Sequence, residues 1–526
     1  MIFWFLLILI FVIYKWLTSD ADYYDKLGIP YEKPWPVVGN NLNILLQKGS
    51  INDITDKSYK KFKSSKIYGY FNFMSKMFIV TDLELIKKIT VKDFNHFINH
   101  DDSIEMDDLL TRSLFGMRDK KWRDMRTTLS PIFTSSKMKL MFGLLSDHSR
   151  DFTKFMEEQV EVGNNINVDV GDIFKRYTAD GISTAALGFV GNSIRDKNSQ
   201  TCRMVQQLDN DFNGTLGALK FMLASGFPKI YKFFNIQLVG KEVNEFFKRV
   251  VLDVMNERDR YNISRPDVIQ LLLQARKGQL EHKIDDADVD KELSNFSAHT
   301  ELDVSLKNEK MSYFEDMDWI AQGFLFFGAG FDTSTMLLQS ICYDLAINLD
   351  IQEDLIAEVD NTRAKFSDNL ITYEALHKMK FLDMVVSESL RLRPPAGLTD
   401  RMCNKDYEID LGNGRTVVIP KGKTIGIPIY QIQHDPEYYT DPETFNPHRF
   451  SDESSIVPGT FLPFGMGARI CIGSRFALMS VKLVLFNILC KFKIDKGEKT
   501  PKQLTYQPNF NFKYNEIIYL NFVPRN

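Results

Sequence analysis

The chain has 526 residues, 44% hydrophobic and 25% charged, with a formal net charge of -4. This is an ordinary globular composition with ample sequence for a large core, and the length predicts one large domain or two to three small ones. Charges of both signs are interspersed, no long basic tract occurs and the pI is about 6.1, which excludes a non-specific nucleic-acid binder.

Five widely spaced cysteines (Cys202, Cys342, Cys403, Cys471, Cys490) argue against a disulfide framework and for a reducing compartment. No CxxC or Cys/His cluster has zinc spacing. The amino terminus carries the strongest targeting signal. Ile2 to Tyr14 is unbroken apolar sequence, and Trp16 and Leu17 extend it past Lys15. It lacks both a preceding basic segment and a small-residue cleavage site, so residues 1–17 read as an uncleaved anchor rather than a secretory signal. About 20 residues cross a bilayer comfortably, which puts this run at the short end. Lys15, Lys26 and Lys33 predict that everything beyond it is cytosolic. Residues 18–40 read as a linker ending in Pro34-Trp35-Pro36-Val37-Val38-Gly39-Asn40, where proline denies helix and predicts a stiff extended connector. That connector is either a hinge that orients the body on a membrane or an ordinary loop. Residues 41–526 form the remaining domain.

Residues 65–82 read as short strands. From about 83 to 395 apolar residues recur at helical spacing, as in Val243, Phe246, Phe247, Val250 and Val251. Trp122-Arg123-Asp124-Met125-Arg126 places tryptophan and arginine one turn apart, where both can reach one carboxylate; alone it is an amphipathic helix with a half-buried Trp. Arg118, Lys120, Lys121, Arg123, Lys137 and Lys139 cluster around it, as a docking face or a merely solvated one. Gly226 to Phe234 is short, aromatic and basic, suited to a membrane interface or a buried loop. Residues 278–312 are polar and read as a surface excursion or partly disordered loop.

A long apolar helix is predicted over roughly 315–347. Within it lies Ala329-Gly330-Phe331-Asp332-Thr333-Ser334. A mid-helix glycine costs about 0.5–1 kcal/mol, so it signals close packing or function. Asp332 is expensive there unless partnered. The plain alternative is a helix packing notch with a satisfied Ser/Thr cluster. Glu388 and Arg391 share one helix face, and Pro394-Pro395 ends that helix. From 396 to 450 short strands prevail, with Gly412-Asn413-Gly414 as a hairpin turn between Tyr407-Glu408-Ile409 and Thr416-Val417-Val418-Ile419. A helix follows over Phe476 to Phe492, and the tail reads as strand. No internal repeat occurs. The fold class is mainly α with a minor β portion.

One segment carries chemistry: Phe464-Gly465-Met466-Gly467-Ala468-Arg469-Ile470-Cys471-Ile472-Gly473. Its glycines let the backbone approach a flat ligand, and a helix beginning near Ser474 offers amides and a dipole that favour a thiolate. Arg469 can neutralise an anion at the ligand edge. The environment suits metal ligation by a lone cysteine.

The pattern Phe464-x-x-Gly467-x-Arg469-x-Cys471-x-Gly473 matches the haem-binding signature of cytochromes P-450, and the chain resembles that family from roughly residue 30 to its end. The resemblance is nearest to microsomal members, among them insect detoxifying and vertebrate drug-metabolising enzymes. It implies the cytochrome P-450 fold, haem b as cofactor and Cys471 as iron ligand. It also implies that Glu388, Arg391 and Arg449 (in Phe445-Asn446-Pro447-His448-Arg449-Phe450) form a structural network. Trp122, Arg126, Arg401 and Arg469 would hold the haem propionates, with Phe464, Ala329 and Gly330 against the haem. Thr333 would hydrogen-bond dioxygen and Asp332 would relay protons. The implied reaction inserts one oxygen atom into a small apolar substrate, with the other leaving as water. No dinucleotide fingerprint is present, so electrons would come from an NADPH-dependent flavoprotein reductase, with cytochrome b5 as a further partner. The implied location is the endoplasmic reticulum membrane. Phe97, Phe115, Phe324, Phe327 and Leu398 are candidate pocket walls. Two other readings are an isomerase or dehydratase of the same fold that uses a peroxide, and a haem protein that binds ligands without turnover. Asp332 and Thr333 disfavour the first of these.

Overall fold

The computed structural model describes residues 2–101, 108–161, 166–280, 313–366, 370–412 and 414–525. Most of the polar stretch at 278–312 and Asn413 of the hairpin turn lie outside the described residues. As expected, the fold is mainly α with a minor β portion.

Helix α1 (Ile2–Leu17) has Ile2, Phe3, Trp4 and Ile8 exposed. At about 1.5 Å per residue it is roughly 24 Å long, against roughly 30 Å for a bilayer's hydrocarbon core. Among the described residues no helix is long and apolar enough to cross a membrane.

The linker is docked and folded rather than extended. Tyr24 is fully buried, its hydroxyl donating to the Met77 carbonyl at 2.6 Å with the Tyr70 carbonyl at 3.1 Å. Gly69 makes this possible, because a Cβ there would fall 2.4 Å from the Tyr24 ring. The proline segment closes on itself, with Trp35 and Gly39 exchanging backbone hydrogen bonds at 3.0 and 2.9 Å. Val37 and Gly39 both adopt positive φ, which reverses the chain where proline stiffness alone predicted extension.

Among the described residues the β portion comprises a four-stranded sheet, a three-stranded sheet and a hairpin. The first contains β1 (Ile67–Asn72) and β2 (Ser75–Val80), both expected. A short β3 (Ile166–Asp169) belongs to the second and was not anticipated, since its partner lies far along the chain. Next come β4 (Thr399–Met402), the expected hairpin strands β5 (Tyr407–Gly412) and β6 (Arg415–Ile419), and β7 (Thr424–Ile427). The order β1-β2-β7-β4 is antiparallel except for the parallel β2–β7 pair, and Arg401 stands opposite Ile425. Strands β8 (Phe492–Lys496) and β9 (Tyr519–Pro524) complete the sheet β3-β9-β8.

The helices that position the site are α2 (Asp119–Leu129), α3 (Ser135–Glu161), α4 (Val170–Ile182), α5 (Gln200–Asn213), α6 (Thr215–Gly226), α7 (Pro228–Phe233), α8 (Asp316–Ile347), α9 (Lys380–Leu392) and α10 (Ser474–Lys491). The long α8 starts at a capping box between Glu315 and Asp318 and runs through the main apolar core beside α4, α9 and α10. It buries Trp319, Phe327, Leu338 and Ile341, so burial of apolar surface on nearly every side holds it in place.

Candidate functional site

Cys471 ends a tight loop before α10. Its N–H donates to the Phe464 carbonyl at 2.9 Å, and Gly465 and Gly467 take φ values of 77° and 79°. A Cβ on Gly467 would fall 1.8 Å from the Thr90 carbonyl oxygen, so only glycine lets the loop press against residues 88–92. Cys471 is exposed while the other four cysteines are buried. Yet burial pushes its thiol up, against the Gly473 N–H and the Arg126 charge, which pull it down. Cys471 is thus reachable by solvent while protein closely surrounds it. Phe464 beside it is half-buried.

Three arginines converge on this loop. Arg126 on α2 donates to the Ile470 carbonyl at 2.8 Å. Arg401 on β4 donates to the Asp400 carbonyl at 2.6 Å and to the Met466 carbonyl at 3.4 Å. Both are buried and both keep a buried Nε without a partner. Burial pulls each guanidinium down to about 10. Asp400 is itself held by the His100 ring at 2.9 Å and the Asp101 N–H at 2.6 Å. No carboxylate pairs with Arg126, Arg401 or Arg469 among the described residues. Buried cations without an anion are expensive, so this donor set fits the acidic edge of a ligand such as the haem propionates.

Arg469 departs from its expected role. Its Nε, Nη1 and Nη2 donate to the carbonyls of Ile98, Leu114, Phe115 and Met117 at 2.8–3.2 Å, and its guanidinium lies 4.1 Å from the Trp122 ring centre. Those contacts occupy its donors in fastening Ile98 and the 114–117 stretch to the cysteine loop. Trp122 is 3% exposed, more buried than an amphipathic helix alone predicts.

On α8, Ala329 and Thr333 are exposed, although their neighbours Phe327, Phe331, Ser334 and Thr335 are buried. They lie one turn apart and present a small, polar-edged face to open space. The Thr333 hydroxyl donates to the Ala329 carbonyl at 2.7 Å. Gly330 serves packing: a Cβ there would fall 2.6 Å from Ile182 Cδ1 of α4. Asp332 is partnered, pairing with Lys513 at 3.1 Å, a residue that carries no motif and was not anticipated.

The expected network is present. Arg391 donates to Glu388 at 2.7 and 2.9 Å, both fully buried, and Arg449 reaches the same carboxylate at 3.3 Å. The Asn446 N–H adds a fourth donor at 2.9 Å, pinning the segment that precedes the cysteine loop. Of the pocket-wall candidates, Phe97, Phe324 and Phe327 are core residues, whereas Phe115 is 44% exposed and Leu398 half-buried. In the basic cluster, Lys121 pairs with buried Asp318 at 2.8 Å, Lys120 with Asp124 at 2.9 Å and Lys139 with Glu374.

The family model for Cytochrome P-450 matches residues 29–301 and 298–519. Cytochrome P-450 9e2 of Blattella germanica is 38% identical over 504 residues, covering 92% of this chain and 90% of that protein. Probable cytochrome P-450 9f2 of Drosophila melanogaster is 37% identical over 498 residues, covering 93% and 92%. Cytochrome P-450 6k1 of Blattella germanica is 32% identical over 505 residues, covering 94% and 91%. The chain belongs to the cytochrome P-450 family. Membership makes it a haem-dependent monooxygenase.

Proposed function

We propose that this enzyme is a membrane-bound monooxygenase acting on small apolar substrates, with Cys471 as the residue that would bind the haem iron and 41–526 as the catalytic domain. The observation that carries the reading is the accessible Cys471 near Arg126, with Arg401 donating to the same loop at Met466, both buried cations without a carboxylate.

Haem b, when bound, activates dioxygen, and a thiolate ligand favours O–O cleavage. The Gly473 N–H and Arg126 stabilise negative charge on the sulfur. Trp122, Arg126 and Arg401 would hold the propionates, while Arg469 adds positive charge and closes the loop. Phe464 would pack against the macrocycle. Ala329 would leave room for it, and Gly330 lets α8 lie close to α4. The Thr333 hydroxyl and the Asp332 carboxylate pass protons toward the cleft, which favours the monooxygenase over an isomerase or dehydratase.

Electrons come from NADPH through a flavoprotein reductase, with cytochrome b5 as a second donor. The face around α2, including Arg123 and Lys137, offers positive charge for that contact. Association with the endoplasmic reticulum membrane is supported by α1 and by Ile230, Phe233 and Phe234 at α7, exposed by 48%, 82% and 67%.

The test is spectroscopic. Full-length protein is expected to bind haem and to give a thiolate-type spectrum for the reduced carbon monoxide complex, and Cys471→Ala to abolish that spectrum. An unchanged spectrum in the variant overturns the ligand assignment. NADPH-dependent product formation with reductase then separates a monooxygenase from a ligand-binding protein.

A further inference from the structure

Next to the converging arginines stands a histidine that the proposed chemistry leaves unused. The Asn99 carbonyl accepts from the Met402 N–H at 2.7 Å, so the chain just before His100 pairs with the end of β4. This brings the His100 ring to Asp400, with Nδ1 2.9 Å from Oδ1. The second carboxylate oxygen accepts from the Asp101 N–H at 2.6 Å, and the Asp400 carbonyl accepts from Arg401, also at 2.6 Å. One residue therefore holds the histidine by its side chain and the arginine by its main chain.

Charge reaches the ring from several elements. Arg401 on β4 and Arg469 on the cysteine loop repel a proton there, and the Asp400 carboxylate attracts one. Arg118 donates to the His100 carbonyl at 3.1 Å, while the Asp101 carboxylate accepts from the Thr424 hydroxyl of β7. Phe115 lies against the ring, with centres 4.6 Å apart. Among the described residues Nε2 has no hydrogen-bond partner, and His100 keeps 8% of its surface exposed, enough to exchange a proton with water. Burial and the two arginines hold the ring below the ordinary histidine value. An acidic ligand edge against Arg126 and Arg401 cancels part of that repulsion and returns it toward about 6.5.

Resting on the proposed seat of the haem beside these arginines, we propose that His100 and Asp400 form a proton-accepting dyad that makes the haem potential depend on pH. When the iron gains one electron from the reductase, His100 takes one proton from water at Nε2 while Nδ1 stays bonded to Asp400. When the electron leaves, the proton returns to water. The added negative charge favours the protonated ring, so reduction is easier where protons are plentiful. The midpoint potential therefore falls as pH rises through the histidine range and levels off on either side.

The experiment is a spectroelectrochemical titration of full-length holoprotein from about pH 5 to about pH 8, with the reduced carbon monoxide spectrum recorded alongside. At a fixed applied potential, the reduced-to-oxidised ratio of the wild type is expected to fall about threefold or more across that range. His100→Phe keeps a ring against Phe115, and His100→Asn keeps a donor for Asp400. Both are expected to flatten the response, because neither side chain titrates. Asp400→Asn is expected to move the window to lower pH, since it removes the charge that favours a proton on His100. A flat wild-type profile, an unchanged slope in both His100 variants or an unmoved window in Asp400→Asn each overturns the dyad. Absence of the thiolate-type spectrum in the wild type defeats the Cys471 reading instead.

Discussion

The Arg469 guanidinium rests 4.1 Å from the centre of the Trp122 indole while its N–H groups grip four backbone carbonyls between Ile98 and Met117. The pair joins α2, the cysteine loop, Ile98 and the 114–117 stretch at one point. Lysine cannot reproduce the planar fork, so Arg469→Lys strands carbonyls at about 1–3 kcal/mol each when buried. Expected outcomes are a lower unfolding midpoint and faster haem loss to an acceptor protein; unchanged retention would refute the clamp.

Glu388 accepts from Arg391, Arg449 and Asn446 inside the protein. Glu388→Gln leaves Arg391 buried at 0% exposure without its counter-charge, which costs about 3–5 kcal/mol. Denaturant unfolding is expected to show a loss of that size.

Gly330 and Ile182 occupy complementary space. Gly330→Ala gains about 1 kcal/mol of helix propensity but meets Ile182 Cδ1, and overpacking costs about 1–3 kcal/mol. Ile182→Val is expected to rescue the stability of Gly330→Ala, with the haem spectrum unchanged throughout. Lack of rescue, with an altered spectrum, would place Gly330 against the haem instead.

Burial holds His434 down to about 3, stacked on Tyr430 with Nδ1 2.8 Å from the Tyr430 carbonyl. A histidine with a depressed folded pKa contributes stability above its unfolded value near 6.5 and loses it as pH falls toward 3. At pH 5 the loss is about 2 kcal/mol. Unfolding followed from pH 7 to 5 is expected to show this slope, and His434→Phe to flatten it.

Much of this molecule is legible in the residues. Cys471, its glycines, and the Glu388–Arg391–Arg449 network have fixed spacing, and α8 announces itself by apolar length. Other features rest on contacts that no local pattern encodes. Arg469 looks like a free cation until the carbonyls of a segment some 350 residues earlier surround it. Gly330 looks like a cofactor notch until Ile182 fills it. Phe324 and Phe327 have the spacing of a pocket wall but face the core. Lys513 meets Asp332 only because β8 and β9 fold the tail back onto α8. The proline-rich segment misled because positive φ at Val37 and Gly39 reverses a chain that its prolines merely stiffen.

Tyr24 is riveted into the β1–β2 hairpin, so the chain from there onward moves with the body. Between that rivet and α1 lie only residues 18–23, most of them wound into turns by bonds such as Thr18 N–H to the Tyr14 carbonyl at 3.0 Å and Ala21 N–H to the Thr18 carbonyl at 3.1 Å. Such a joint has little slack. A tilt of α1 would therefore bear directly on the sheet that carries Arg401.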